Sequence, residues 1–132
     1  MAGRSAIPLP MSLRVACLTV DTHDCRRLAD FWAACLGWAI VSDTEEGVYV
    51  VPRELVGEEQ SSVPGLLFFP NTDTKTTKNR VHLDLRPDDQ EVEIVRLESL
   101  GARRADIGQR GTEPWVVMAD PEGNEFCLLA AR

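Results

Sequence analysis

RVHLDLR, residues 80–86, alternates along an extended chain: Val81, Leu83 and Leu85 fall on one side, His82, Asp84 and Arg86 on the other. The pattern occurs once before, in RVACLTVD, residues 14–21. There Ala16, Leu18 and Val20 form the apolar side, and Val15, Cys17, Thr19 and Asp21 the other. The segments after the two strands also match. After the first, Asp24 stands at an N-cap position, ahead of Leu28, Phe31, Trp32, Cys35 and Leu36 at helical spacing, with Gly37 as terminator. After the second, Asp88 or Asp89 opens a helix carrying Val92, Ile94, Val95, Leu97 and Leu100, closed by Gly101. Each helix is succeeded by three strand-like runs: 38–42, 48–51 and 66–69, then 103–107, 115–119 and 125–129.

The chain therefore reads as an α+β protein of two β-α-β-β-β repeats, 13–70 and 79–130, with 71–80 (NTDTKTTKNR) as a polar joint. Pairing positions 16, 18 and 20 with 81, 83 and 85 keeps the apolar faces in register, because a one-residue slip turns a whole strand face to the wrong side. In that register Cys17 corresponds to His82 and Thr19 to Asp84. Two helices cannot cover both faces of eight strands, so they are expected on one outer face. The other face then curls into a cup.

Composition limits the partners. The chain has 132 residues, 14 Lys and Arg against 21 Asp and Glu, and a formal charge of −7. Nucleic-acid backbones and anionic membrane surfaces call for the opposite sign, so neither is expected as a partner. The share of hydrophobic residues, 44%, is that of an ordinary globular domain. Residues 1–12 read as a loose tail rather than a signal peptide, and no apolar run is long enough to span a bilayer. Cys17, Cys25, Cys35 and Cys127 form no C-x-x-C pair, which fits free thiols and a cytoplasmic location. The acidity leans to the first repeat, whereas Lys75, Lys78 and Arg80 make the joint before His82 locally basic.

Three stretches carry a resemblance to a known superfamily: Asp21–Trp38 (D-x-x-D-x-x-x-L-A-D-F-W-x-x-x-L-G-W), Lys78–Arg86 (KNRVHLDLR) and Asp120–Leu129 (DPEGNEFCLL). In these the chain resembles the vicinal oxygen chelate superfamily of glyoxalase I, extradiol dioxygenases, and bleomycin- and fosfomycin-resistance proteins. It looks most like the small glyoxalase-like domain proteins, from about residue 13 onward. The DPEGN turn has a physical logic of its own as scaffold: Asp120-Pro121 fixes a corner, Gly123 supplies a positive φ, and Asn124 can bond back to the backbone.

The resemblance implies four inward positions that hold one divalent ion in the catalytic relatives. They fall on Cys17, on Phe68 or Phe69, on His82 and on Cys127. Only His82 keeps the usual ligand type, and no carboxylate is present, so a hard-ion site lacks ligands. Cys17, His82 and Cys127 could hold zinc with water as the fourth ligand. Single buried cysteines are more often small apolar fillers, and the expectation is a protein without a cofactor.

The cup is expected to be lined by Cys17, Thr19, Phe68 or Phe69, His82, Asp84, Trp115, Glu125 and Cys127. His82 and Asp84, at i and i+2 within ~7 Å, read as a polar pair or as an acid/base pair. Glu125, on the Cys127 side, reads as a further base or a rim charge. Trp115 offers a stacking surface, and His23 reads as a solvated turn residue. Trp32 and Trp38 read as core. The resemblance implies a small organic ligand and often a homodimer, and an acidic protein suits a cationic ligand. Two functions stay open: metal-free binding or sequestration of the bleomycin-resistance kind, and a lyase or isomerase acting on a small carbonyl compound with His82, Asp84 or Glu125 as acid/base.

Overall fold

The structure is a computed structural model that describes residues 13–58 and 62–132. The expected tail, 1–12, lies outside the described residues. Strand β1 (Cys17–Thr22) leads into helix α1 (Cys25–Leu36), whose first turn is closed by the Asp24 carboxylate accepting from Arg27 N at 3.1 Å. Gly37 ends it at φ 68°, a left-handed conformation that a side chain disfavours. Strands β2 (Ala39–Thr44), β3 (Gly47–Val51) and β4 (Gly65–Pro70) complete the first repeat. They form a sheet in the order β1-β4-β3-β2, with β1 and β4 parallel and the hairpin neighbours antiparallel.

The second repeat has the same plan in shorter strands. β5 (Asp84–Leu85) precedes α2 (Gln90–Ser99), and β6 (Arg103–Arg104), β7 (Val116–Ala119) and β8 (Glu125–Leu128) come after it, in the sheet order β5-β8-β7-β6. Asp89, not Asp88, is the cap, accepting from Val92 N at 3.1 Å. Two expected strands are cut short. The 80–86 run joins the ladder at Asp84, where β5 pairs with β8 in the register Asp84↔Cys127. Carried backwards, that register sets Arg80 opposite Gly123, inside the turn before β8, where no strand exists to pair with. The 103–107 run leaves its partner after Ala105, whose N–H donates to Val117 O, and bends into a Gly-rich loop.

Alternation sorts the faces. Leu18, Val20, Val48, Val50, Leu66 and Phe68 pack with Leu28, Phe31, Trp32 and Cys35 of α1, as the helical spacing predicts. On α2 only Ile94 and Leu97 are buried; Val92 and Val95 face solvent, because a sheet this narrow covers only a thin helical stripe. The two repeats share one apolar cluster, in which Phe126 meets Phe31 and Trp32. Arg96 of α2 adds a polar tie, donating to the Ala34 and Cys35 carbonyls at the end of α1. Among the described residues no helix is long and apolar enough to cross a membrane.

Candidate ligand-binding site

Most of the residues expected to line one cup border one or other of two concavities that meet at His82. The first, of about 440 Å³, lies at the seam between the repeats. Its floor is apolar (Leu18, Val20, Phe68, Leu83, Phe126), and Thr19, Lys75, His82 and Glu125 stand around it. The second, of about 480 Å³, is the open hollow of the second sheet, lined by His82, Asp84, Trp115, Val117, Cys127 and Leu129. Cys17 and Phe69 border neither. Phe68 and Phe69, alternatives for one position, point to opposite sides. Phe68 is fully buried on the helix side, and Phe69 is 43% exposed on the other. The parallel register Thr19↔Leu67 and Asp21↔Phe69 puts Phe69 with Cys17 and Thr19, and Phe68 reaches only the floor of the seam.

The chemistry of the hollow centres on the second sheet. His82 Nε2 lies 3.2 Å from Asp84 Oδ1, with both side chains open to solvent. Burial, together with the charge and hydrogen bond of Asp84, pushes the Cys127 thiol above its ordinary value. The carboxylate lies between sulfur and imidazole, so the order is Cys-Asp-His. That order keeps a thiol protonated instead of activating a nucleophile. The donor atoms of His82, Asp84 and Cys127 all lie within 4.8 Å of one another, and Cys17 is not part of this group. The four superfamily positions therefore do not assemble a hard-ion centre: one is a phenylalanine and another, Cys17, stands apart.

Glu125, read as a further base or a rim charge, is 9% exposed and already engaged by the joint. Its carboxylate accepts from Asn79 N at 2.8 Å and pairs with Lys75 Nζ at 2.6 Å, fastening the joint over the seam. Burial of this carboxyl acts to raise its pKa, but the bonds from Lys75 and Asn79 outweigh it and the net shift is downward. A folded-state pKa below the unfolded one contributes stability that is complete above the ordinary carboxylate range and is lost as the pH falls through the folded value. Lys75→Met is therefore expected to cost about 2 kcal/mol at pH 7, and progressively less as Glu125 protonates in acid. Urea denaturation of both proteins from pH 7 down to the acid limit checks this; a cost that does not change with pH would count against it.

Sequence reasoning missed the lip of the hollow. Residues 107–113 form a braced loop: the Gln109 amide bonds Ala105 O at 2.6 Å and Ile107 N at 2.8 Å. The Glu113 carboxylate accepts from Arg110 N at 2.7 Å and Gly111 N at 2.8 Å, which lowers its pKa. The signal was present in GQRGTEP, a Gly- and Pro-dense run typical of turns. His23, read as a solvated turn residue, is exposed, and its Nε2 sits 2.8 Å from Asp73 O.

Two curved sheets, each backed by a helix and formed by a β-α-β-β-β unit, define the glyoxalase/bleomycin resistance/dioxygenase class. The chain belongs to the glyoxalase-like domain family, whose profile matches residues 17–129. No curated protein matches it significantly. Among solved structures, it is similar to the fosfomycin resistance protein FosX of Listeria monocytogenes, a mutant of which was solved with Mn(II) and dihydroxypropylphosphonic acid. There the TM-score is 0.66 and the identity 11%, over 92% of this chain and 93% of that one. It is similar to glyoxalase I of Leishmania major, with TM-score 0.61 and 17% identity over 90% and 87% of the two chains. It is also similar to TnmS3, an antibiotic binding protein from Streptomyces sp. CB03234, with TM-score 0.56 and 20% identity over 91% and 98%.

Proposed function

We propose that the protein binds a small organic molecule bearing a positive charge and an aromatic ring in the hollow of its second sheet, without the four-ligand metal centre of the catalytic relatives. One observation carries the reading. Trp115, 42% exposed, and the open carboxylate of Asp84 line the same concavity, whose remaining wall includes the apolar Val117 and Leu129. An exposed indole beside a carboxylate in an apolar hollow suits a planar cation, through stacking, cation–π attraction and ion pairing. The excess of acid over base on the chain favours the same sign of ligand at long range. The likeness to an antibiotic binding protein agrees with binding as a task of this fold.

The experiment is a titration with a planar cationic dye, ethidium, against an anionic one, anilinonaphthalene sulfonate, read by dye fluorescence. Ethidium is expected to bind the wild type, and Asp84→Asn and Trp115→Ala are each expected to weaken it by about tenfold. Equal binding of the two dyes, or no effect of either substitution, overturns the reading. A second reading rests on the 3.2 Å His82–Asp84 pair: a lyase or isomerase moving a proton on a small carbonyl compound. Turnover of a hemithioacetal that disappears in His82→Gln would favour it over binding alone.

A further inference from the structure

We propose that the hollow of the second sheet also holds a single thiophilic divalent cation, of the zinc class, on His82, Asp84 and Cys127. The placement comes from the strand pairing. β5 and β8 run parallel with Asp84 opposite Cys127, and His82, two residues before Asp84, meets its carboxylate at 3.2 Å. These three side chains border one concavity. Their donor atoms fall within 4.8 Å of one another, the His82–Asp84 pair at 3.2 Å. Around a four-coordinate ion with bonds of about 2.0–2.3 Å, neighbouring donors stand roughly 3.3–3.8 Å apart. Small rotations of His82 and Asp84, both solvent-exposed, would close the present spacing.

The donor set selects the ion. One imidazole, one carboxylate and one sulfur suit zinc and its soft neighbours, whereas magnesium and manganese prefer all-oxygen surroundings. Three protein ligands leave the fourth position open to the hollow, as in zinc sites that keep a water or an exchangeable ligand. Binding replaces the Cys127 thiol proton, which passes to solvent. The set departs from the one implied by the superfamily resemblance. It lies wholly within the second repeat, uses Asp84, and takes nothing from the first, where Cys17 makes a 3.8 Å contact with Thr19 Oγ1 instead.

The inference does not rest on the organic ligand proposed above, since the ion is read with no organic molecule present. The two occupants do share Asp84, so a loaded ion is expected to weaken ethidium binding. The test is titration of the metal-free full chain with cobalt(II), and then with zinc. Expected are one equivalent of cobalt, the visible bands of a tetrahedral ion, one near-ultraviolet thiolate-to-cobalt band, and displacement of all of these by zinc. Cys127→Ser is expected to abolish the thiolate band and, like Asp84→Asn, to weaken binding by about 100-fold, while Cys17→Ser changes nothing. Circular dichroism confirms that each variant is folded, and the exposed position of Asp84 keeps the test available should Cys127→Ser unfold. The absence of stoichiometric cobalt binding, a thiolate band that survives Cys127→Ser, or one that falls in Cys17→Ser overturns the proposal. Ethidium binding by the metal-free chain reports separately on the ligand reading.

Discussion

Asp120→Ala is expected to destabilise the protein by about 3–5 kcal/mol, the loss typical of stripping a buried hydrogen-bonded acid from its partners. The side chain is fully buried. One oxygen accepts from Glu122 N and Asn124 N, each at 2.9 Å, and so closes the DPEGN turn on itself. The other accepts from Trp32 Nε1 at 3.0 Å, across the boundary between the repeats, and the Asn124 amide reaches both. Water can rescue the turn amides, which lie near the surface. The indole N–H is worse placed, since Trp32 is 4% exposed and touches solvent only through the seam cavity. Asp120→Asn keeps the shape but sets a second donor against either the indole or the turn, so an intermediate loss of about 2 kcal/mol is expected. Urea denaturation monitored by tryptophan fluorescence measures both. An alanine variant within about 1 kcal/mol of the wild type would show that the turn is held by other means, since typical single hydrogen bonds contribute that much alone.

What the chain discloses before folding is the local chemistry. Asp24 and Gly37 bracket α1, Asp88 or Asp89 is due to cap α2 and Asp89 does, and Gly123 takes φ 89° in its turn, because each is dictated by the residues beside it. The alternation of Leu18 and Val20 against Cys17 and Thr19 was equally plain. What stayed hidden depends on partners far along the chain. Whether Phe68 or Phe69 faces the open side is a matter of register against β1, nearly fifty residues earlier. Glu125 reads as a base or a rim charge until Lys75 and Asn79, about as distant, occupy it. Repeat symmetry placed Cys17 opposite His82, but symmetry fixes equivalent roles, not contact. The seam between the repeats separates them, and the polar site that forms, His82-Asp84-Cys127, lies inside one repeat. From the sequence His82 pairs with Asp84, and separately with Cys127 and Cys17; the set of three is not drawn.

Phe126→Ala is expected to cost about 3–5 kcal/mol, and to do so unevenly across the molecule. The ring is 1% exposed, 5.0 Å from Trp32 and 6.5 Å from Phe31, which are themselves 5.3 Å apart in a T-shaped pair. Helix α1 thus packs on its own sheet and on the neighbouring one. The halves differ in what they hold without this contact. The first sheet has strands of six, six, five and six residues, and the second of two, two, four and four, under a helix that buries only Ile94 and Leu97. The second half therefore draws more of its stability from the shared cluster, and removing Phe126 should release it first. Hydrogen exchange is expected to show the amides of Val117 and Cys127 opening ahead of those of Leu18 and Leu66 in the variant, and with them in the wild type. A uniform acceleration in both halves would instead mean that the repeats unfold as one unit regardless of the ring. Phe126→Leu, which retains most of the volume, should cost about 1.5 kcal/mol or less. The site lies on the half that is released. His82, Asp84 and Cys127 stand outside the shared apolar cluster, yet Phe126→Ala should weaken whatever binds them, because the sheet that carries them is ordered by the first repeat.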